Sequence, residues 1–213
     1  MRTLLHISAS SRTAQSHSRR LGQCAVERLL SAHPALTLCH RDLTRPALPH
    51  LDETFVEASL RTPLERNAQD HESLALSERL IAEMEAAEVI VIDFPMYNFT
   101  LPSGLKVWVD HVLRPNRTFR ANPTGKTGLL ADRPTLCIMA AGGRLDGPGA
   151  QPDFATSYLR LAMKTAGIQS IQFFIADRTR HTESGRAETT DQNFDCWIEG
   201  LLQTVNSHHA PHP

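Results

Sequence analysis

Three short clusters in this chain carry side chains that could hold a ligand. The first is Ser8-Ala9-Ser10-Ser11-Arg12, followed by Ser16-His17-Ser18 where a segment of helical period begins. Small hydroxyl side chains and free amide N–H groups at a helix N-terminus form an anion site, because the first turn has no internal acceptors. The same run also reads as a serine-rich loop with an N-cap. The second cluster is Pro95-Met96-Tyr97-Asn98-Phe99, with Pro102 just beyond it. Its prolines stiffen a loop that offers backbone N–H groups together with flat apolar contact, a combination suited to a planar heteroaromatic ring with polar edges. The third is Ala140-Ala141-Gly142-Gly143, where missing side chains let a ligand approach the backbone. Either of the last two could be turn chemistry alone; their coincidence with the first on loops that follow strands favours a shared ligand site.

Other motifs lead away from competing chemistries. Gly125-Lys126-Thr127 resembles the end of a phosphate-binding P-loop, but Arg120 stands where the motif needs glycine. Gly147 and Gly149 match the start of a dinucleotide fingerprint, yet Pro152 takes the third glycine's place and would obstruct a helix there. Cys137 lies too far from Arg144, and too deep in an apolar strand, for a cysteine-phosphatase loop. With no G-x-S-x-G elbow, acyl hydrolysis has no visible nucleophile.

The elements that must position the three clusters alternate along the chain. Apolar runs at Leu4–Ser8, Ala35–Arg41, Val89–Ile92, Leu136–Ala140 and Ile171–Ala176 read as strands, the third apolar on both faces and so central. Between them, Ser16–Ser31 repeats Leu21, Ala25 and Leu29 at helical spacing, and Gln69–Ala87 carries Leu76, Leu80, Ile81 and Met84 on one side. Leu105–Leu113 is a further amphipathic helix whose surplus apolar face is expected to reach past the sheet. Phe154, Tyr158, Leu161 and Ala162 mark another, and Phe194, Trp197, Ile198, Leu201, Leu202 and Val205 form the last stripe. Leu43–Thr54 and Thr118–Pro134 read as long loops. Helices after strands imply right-handed crossovers and a three-layer α/β/α sandwich on a central five-stranded parallel sheet.

A length of 213 residues fits one domain, taken as residues 1–206 with a frayed polar tail at 207–213. That tail holds His208, His209 and His212, read as incidental because no folded second shell supports a metal there. Lys and Arg number 22 against 23 Asp and Glu, a net charge of -1, so no basic field draws nucleic acid or an anionic membrane. No apolar stretch approaches the ~20 residues that span a bilayer, and the Met1–Ser8 run is too short for an export signal. Cys24, Cys39, Cys137 and Cys196 are scattered without a C-x-x-C pair, which points to reduced thiols in a cytoplasm, without metal or disulfide.

Taken together, Ser10 with Ser16-His17-Ser18, the run PMYNF followed by Leu105-Lys106 and Asp110, the pair Thr118-Phe119, and Gly142-Gly143 resemble the FMN-dependent NADH azoreductase and quinone reductase family. The resemblance runs in order over nearly the whole chain. It implies a flavodoxin-like fold, a homodimer with flavin near the interface, and ping-pong two-electron transfer from NADH or NADPH to quinones or aromatic azo compounds. By the same resemblance, Ser10, Ser16, His17 and Ser18 hold the FMN phosphate, and Met96, Tyr97, Asn98 and Phe99 line the isoalloxazine. Ala140, Ala141, Gly142 and Gly143 pass its other edge, and Phe99 and Phe119 shape the acceptor slot. The chain departs from the family pattern at His17, at Ala140-Ala141 and at Pro115-Asn116.

Because the cofactor carries the chemistry, no protein acid or base is expected to be essential. Two alternatives remain open at this level: a flavodoxin-like electron carrier, or a flavin-free regulatory domain of the same fold. Carriers are usually strongly acidic, which the balanced charge does not match.

Overall fold

The computed structural model describes residues 2–180 and 190–201. Parallel strands β1 (Arg2–Ser8), β2 (Leu36–Asp42), β3 (Ala87–Pro95), β6 (Thr135–Ala140) and β7 (Ile171–Ala176) form one sheet in the order β2-β1-β3-β6-β7. The order reverses direction between β1 and β3, so the loops leaving those two strands part and open a crevice at their carboxyl ends. Val91, Ile92 and Phe94 are fully buried, as expected of a strand covered on both faces.

Alternation along each strand sends side chains into two cores. Leu4, Val89, Val91, Leu136 and Ile138 meet α1 (His17–Ala32) and α6 (residues 190–201) on one face. Leu5, Ile7, Ile90, Ile92, Phe94, Cys137 and Met139 meet α3 (Ala68–Ala86), α4 (Ser103–Val112) and α5 (Ala155–Ala166) on the other. Burial pushes the Cys137 thiol well above its ordinary range, as suits a core thiol. In α6, Phe194, Ile198 and Leu201 face the sheet as expected, while Leu202, Val205 and the tail histidines lie outside the described residues. Among the described residues no helix is long and apolar enough to cross a membrane.

The structure corrects four local readings. The stretch Leu43–Thr54 runs into a short helix, α2 (Glu53–Leu60), capped by Asp52. It buries only Phe55 and Ala58, against Leu74 of α3, too few positions to register as a period. Within the expected loop Thr118–Pro134 lies an antiparallel hairpin, β4 (Phe119–Asn122) and β5 (Gly125–Gly128), which places Gly125-Lys126-Thr127 on a strand instead of at a helix N-terminus. The buried face of α5 consists of Ala155, Leu159, Ala162, Met163 and Ala166. Phe154 and Leu161 are left 60% and 67% exposed, because small residues let this helix lie close to the sheet on another of its sides. Finally, α4 has no surplus apolar face: Leu105, Val107, Trp108, Val109 and Val112 are all buried within the chain. Its outer side is covered by α2 and the preceding loop, with His111 Nε2 2.9 Å from the Pro49 carbonyl and its ring edge-on to Phe55.

Candidate functional site

Where the order reverses, the loops after β1, β3, β6 and β7 line a cleft of about 700 Å3. Its walls are Ser10, Arg12, Gln15, Ser16 and His17 from the β1 loop, Pro95, Met96 and Tyr97 from β3, Ala140 and Gly142 from β6, and Thr179 and Arg180 from β7. Among the described residues no acidic side chain lines it. A smaller cavity of about 530 Å3 lies behind the β1 loop, towards the edge strand β2, and contains His6, Ser8 and His40.

The β1 loop is held by polar contacts. The Ser16 side chain caps α1 by accepting from the Arg19 amide at 3.3 Å, and its Oγ lies 3.2 Å from that of the fully buried Ser18. No acid occupies the first turn of α1, so the positive helix end stays uncompensated. The Arg19 guanidinium takes up the Ser10 carbonyl at 2.8 and 3.0 Å and pairs with Asp42 at 2.9 Å. Burial works to raise the Asp42 pKa, but Arg19 and the Thr44 hydroxyl and amide outweigh it and hold it at about 2. Burial and the nearby Arg20 and Arg12 lower the His17 pKa, so its charged form is disfavoured there.

Beneath this loop the core turns polar. Fully buried Asp93 accepts from Ser8 Oγ, and its Oδ2 lies 2.7 Å from His6 Nε2. His6 in turn stacks on His40 with ring centroids 4.9 Å apart. Gly22 of α1 makes room for the cluster: a Cβ there would fall 2.7 Å from Asp93.

The β3 loop is shaped by its backbone. Tyr97 and Thr100 exchange N–H···O bonds of 3.0 Å around Asn98 and Phe99, both at positive φ (47° and 71°), the geometry of a type I′ turn. Asn tolerates this region, whereas Phe pays roughly 1–2 kcal/mol for it. The Phe99 ring stays 45% exposed, and its carbonyl accepts from the Phe154 amide at 2.9 Å.

At the β6 end, the strand-like pairing continues past the sheet. The amides of Arg178 and Thr179 bond to the Gly143 and Ala141 carbonyls at 2.9 and 3.0 Å. The glycines here make room for side chains of the same chain: a Cβ on Gly142 would meet Arg180 at 2.7 Å, and one on Gly143 would meet Gln151 at 3.0 Å.

Of the residues singled out from sequence, Ser10, Ser16, His17, Met96, Tyr97, Ala140 and Gly142 therefore line the cleft. Ser18, Ala141 and Gly143 stand behind it, and Asn98 faces a neighbouring 530 Å3 pocket with Lys106 and Tyr158. Lys106 is satisfied on α4 by Asp110 at 2.6 Å. Phe119 is buried in the hairpin with Lys126 over its ring and lines neither pocket. Sequence reading missed Arg12, which sat unassigned in the serine loop, and Arg180, which no local pattern marks because only the sheet order brings the β7 loop beside β6. Among the described residues neither arginine has a carboxylate partner, Arg12 donating only to Gln15 Oε1 at 3.0 Å, so two guanidinium groups without a carboxylate face the cleft. A phosphate and a flat, electron-accepting ring fit this arrangement.

Comparison with known proteins agrees. Residues 2–200 match the model of a family described by its flavodoxin-like fold. A protein of Cupriavidus pinatubonensis named FMN-dependent NADH:quinone oxidoreductase 2 is 46% identical over 173 residues, covering 81% of this chain and 84% of its own. The chain belongs to the flavodoxin-like family. Within that family it is also 44% identical over 174 residues to FMN-dependent NADH:quinone oxidoreductase 4 of Pseudomonas fluorescens, covering 81% and 82% of the two chains. Among solved structures of the same fold, an azoreductase of Bacillus anthracis superposes with a TM-score of 0.80 at 22% identity, covering 97% of this chain and all of the other. An FMN-dependent NADH-azoreductase of the same species, solved in complex with FMN, gives 0.79 at 22% identity over 96% and 98% of the chains. The flavodoxin-like strand order thus accounts for the converging loops.

Proposed function

We infer that this chain is an FMN-dependent NADH:quinone oxidoreductase that also reduces aromatic azo compounds. The observation that carries the reading is the cleft at the β1/β3 switch point, lined by no acid among the described residues, with an uncompensated helix end and the Arg12 guanidinium, which has no carboxylate partner there, at its β1 side. When bound, FMN supplies hydride acceptance from reduced nicotinamide and two-electron delivery to the acceptor.

The chain's own residues bind and orient. Ser10, Ser16 and His17 hold the phosphate with the α1 amides, Ser18 supports Ser16 from behind, its Oγ 3.2 Å away, and Arg12 adds charge at that end. Met96, Tyr97 and Phe99 present flat apolar surface to the ring and Asn98 and Phe99 backbone N–H groups, those of Met96 and Tyr97 being taken by the Ala140 and Thr100 carbonyls, and Ala140, Ala141, Gly142 and Gly143 form the opposite wall. Phe99 is the acceptor-side aromatic, while Phe119 holds the hairpin.

We further propose a homodimer. Its support is the exposed apolar group of Tyr97, Phe99, Phe154 and Leu161 beside the cleft, which a second copy would cover and so exclude water from the ring. The described residues act as one domain, while the expected boundary at 206 and the segment 207–213 lie outside them. The free cysteines suit a cytoplasmic setting.

The test is the visible spectrum of purified protein before and after anaerobic NADH, with the released cofactor identified by chromatography. FMN that bleaches with NADH, and parallel double-reciprocal lines at several fixed quinone concentrations, are the expected results. Protein that takes up no FMN would refute the reading, and bound flavin that NADH leaves oxidised would indicate an electron carrier.

A further inference from the structure

We propose that Arg180 is a positioning residue that sets a cation at the β7 end of the cleft and thereby raises the reduction potential of the bound flavin. The proposal rests on the FMN-binding reading above. The cleft crosses the ends of β1, β3, β6 and β7. At about 4.8 Å per strand spacing, its two ends stand roughly 14 Å apart.

Arg12 belongs to the β1 end and Arg180 to the β7 end, and among the described residues neither has a carboxylate partner. Their neighbours differ: Arg19 pairs with Asp42, Arg20 with Asp191, and Arg178 with Asp146 and Asp177. One phosphate accounts for a cation at one end of the cleft only. The other end would face the ring, which is neutral when oxidised. Reduction by NADH, which would give up a hydride and leave as NAD+, would add an electron pair and a net negative charge to the ring. A cation there favours the reduced ring over the oxidised one, and that differential binding is what shifts a potential.

The structure builds a seat for the group. The Arg180 amide is 3.4 Å from the Gly142 carbonyl, and the Thr179 hydroxyl donates to the Ala141 carbonyl at 3.1 Å. The side chain then lies against Gly142, where a Cβ would fall 2.7 Å from Nε and 2.9 Å from Cγ. Gly142 is thus explained by the cation it admits.

The experiment compares wild type, Arg180→Gln, Arg180→Lys and Gly142→Ala, each loaded with FMN, by anaerobic reductive titration against a reference dye. Arg180→Gln is expected to lower the two-electron potential by about 30 mV or more, equivalent to a tenfold loss of preference for the reduced cofactor. Affinity for oxidised FMN, read by fluorescence, should change much less. Lys should restore most of the potential, and Gly142→Ala, which displaces the guanidinium, should fall towards the Gln variant. An Arg180→Gln protein that binds FMN at the wild-type potential overturns the proposal, even if its KM for NADH rises, since that would assign Arg180 to the dinucleotide. Wild-type protein that binds no FMN would remove the functional reading itself.

Discussion

At the β1 end of the cleft the lining groups are polar side chains and a helix end held by polar partners, whereas at the β3 end they are Pro95, Met96 and Tyr97, followed by two residues in left-handed backbone. The first loop stands on a buried polar cluster, Ser8, His6 and Asp93, and is cinched by Arg19. The second stands on an apolar core and keeps its shape through one reciprocal pair of hydrogen bonds and the Phe99–Phe154 link. An anion needs charge and donors at fixed points, and these are expensive to bury without partners. A ring needs a flat surface, which a strained turn can present at small cost.

Breaking the polar foundation should have the largest effect. Asp93→Ala strands His6 and Ser8 in the core and is expected to cost about 3 kcal/mol in urea unfolding. A variant as stable as wild type would show that the β1 loop does not depend on the cluster. Removing one donor from the loop comes next. A hydrogen bond to a charged group is worth about 1.5–3 kcal/mol, so Ser10→Ala should weaken FMN binding roughly ten- to a hundredfold, with little change in stability. Unchanged affinity by fluorescence titration would take Ser10 out of the phosphate site.

At the β3 loop the sign should reverse. Phe99→Asn relieves left-handed strain and should stabilise the protein by about 1 kcal/mol in thermal unfolding while lowering kcat/KM for flat acceptors. Destabilisation would mean that the ring contributes more packing than its exposure suggests.

The smallest effect concerns His17. Its pKa is lowered from 6.5 in the free protein by burial, then by Arg20 and Arg12. A bound phosphate would favour the protonated form and raise that pKa. Protons are then taken up on binding, so FMN affinity should increase as pH falls and level off below the lowered pKa of the free protein. Relative to His17→Gln, which has no such proton, the gain should be no more than about fivefold, as for a partly exposed charge pair. Identical pH profiles for the two proteins would remove the histidine from the phosphate site.

Much of this was legible in the chain itself. Five strands separated by helical periods defined the sheet layers, because the periods of 2 and 3.6 are local properties that need no partner to be read. The serine loop and the PMYNF run were visible for the same reason: Ser16 as an N-cap and Pro95 as a stiffener act on their own neighbours. The tertiary structure decided what depended on distant partners. It chose which side of α5 faces the sheet, covered the apolar face of α4 with α2, and buried Asp93 under Gly22 with no sequence signal linking them. It also brought Arg180 beside Gly142, some 38 positions away in the chain, because only the order β3-β6-β7 makes their loops neighbours. Local patterns specify elements through the geometry of one backbone segment; charges at the ends of a cleft are specified by which strands lie side by side.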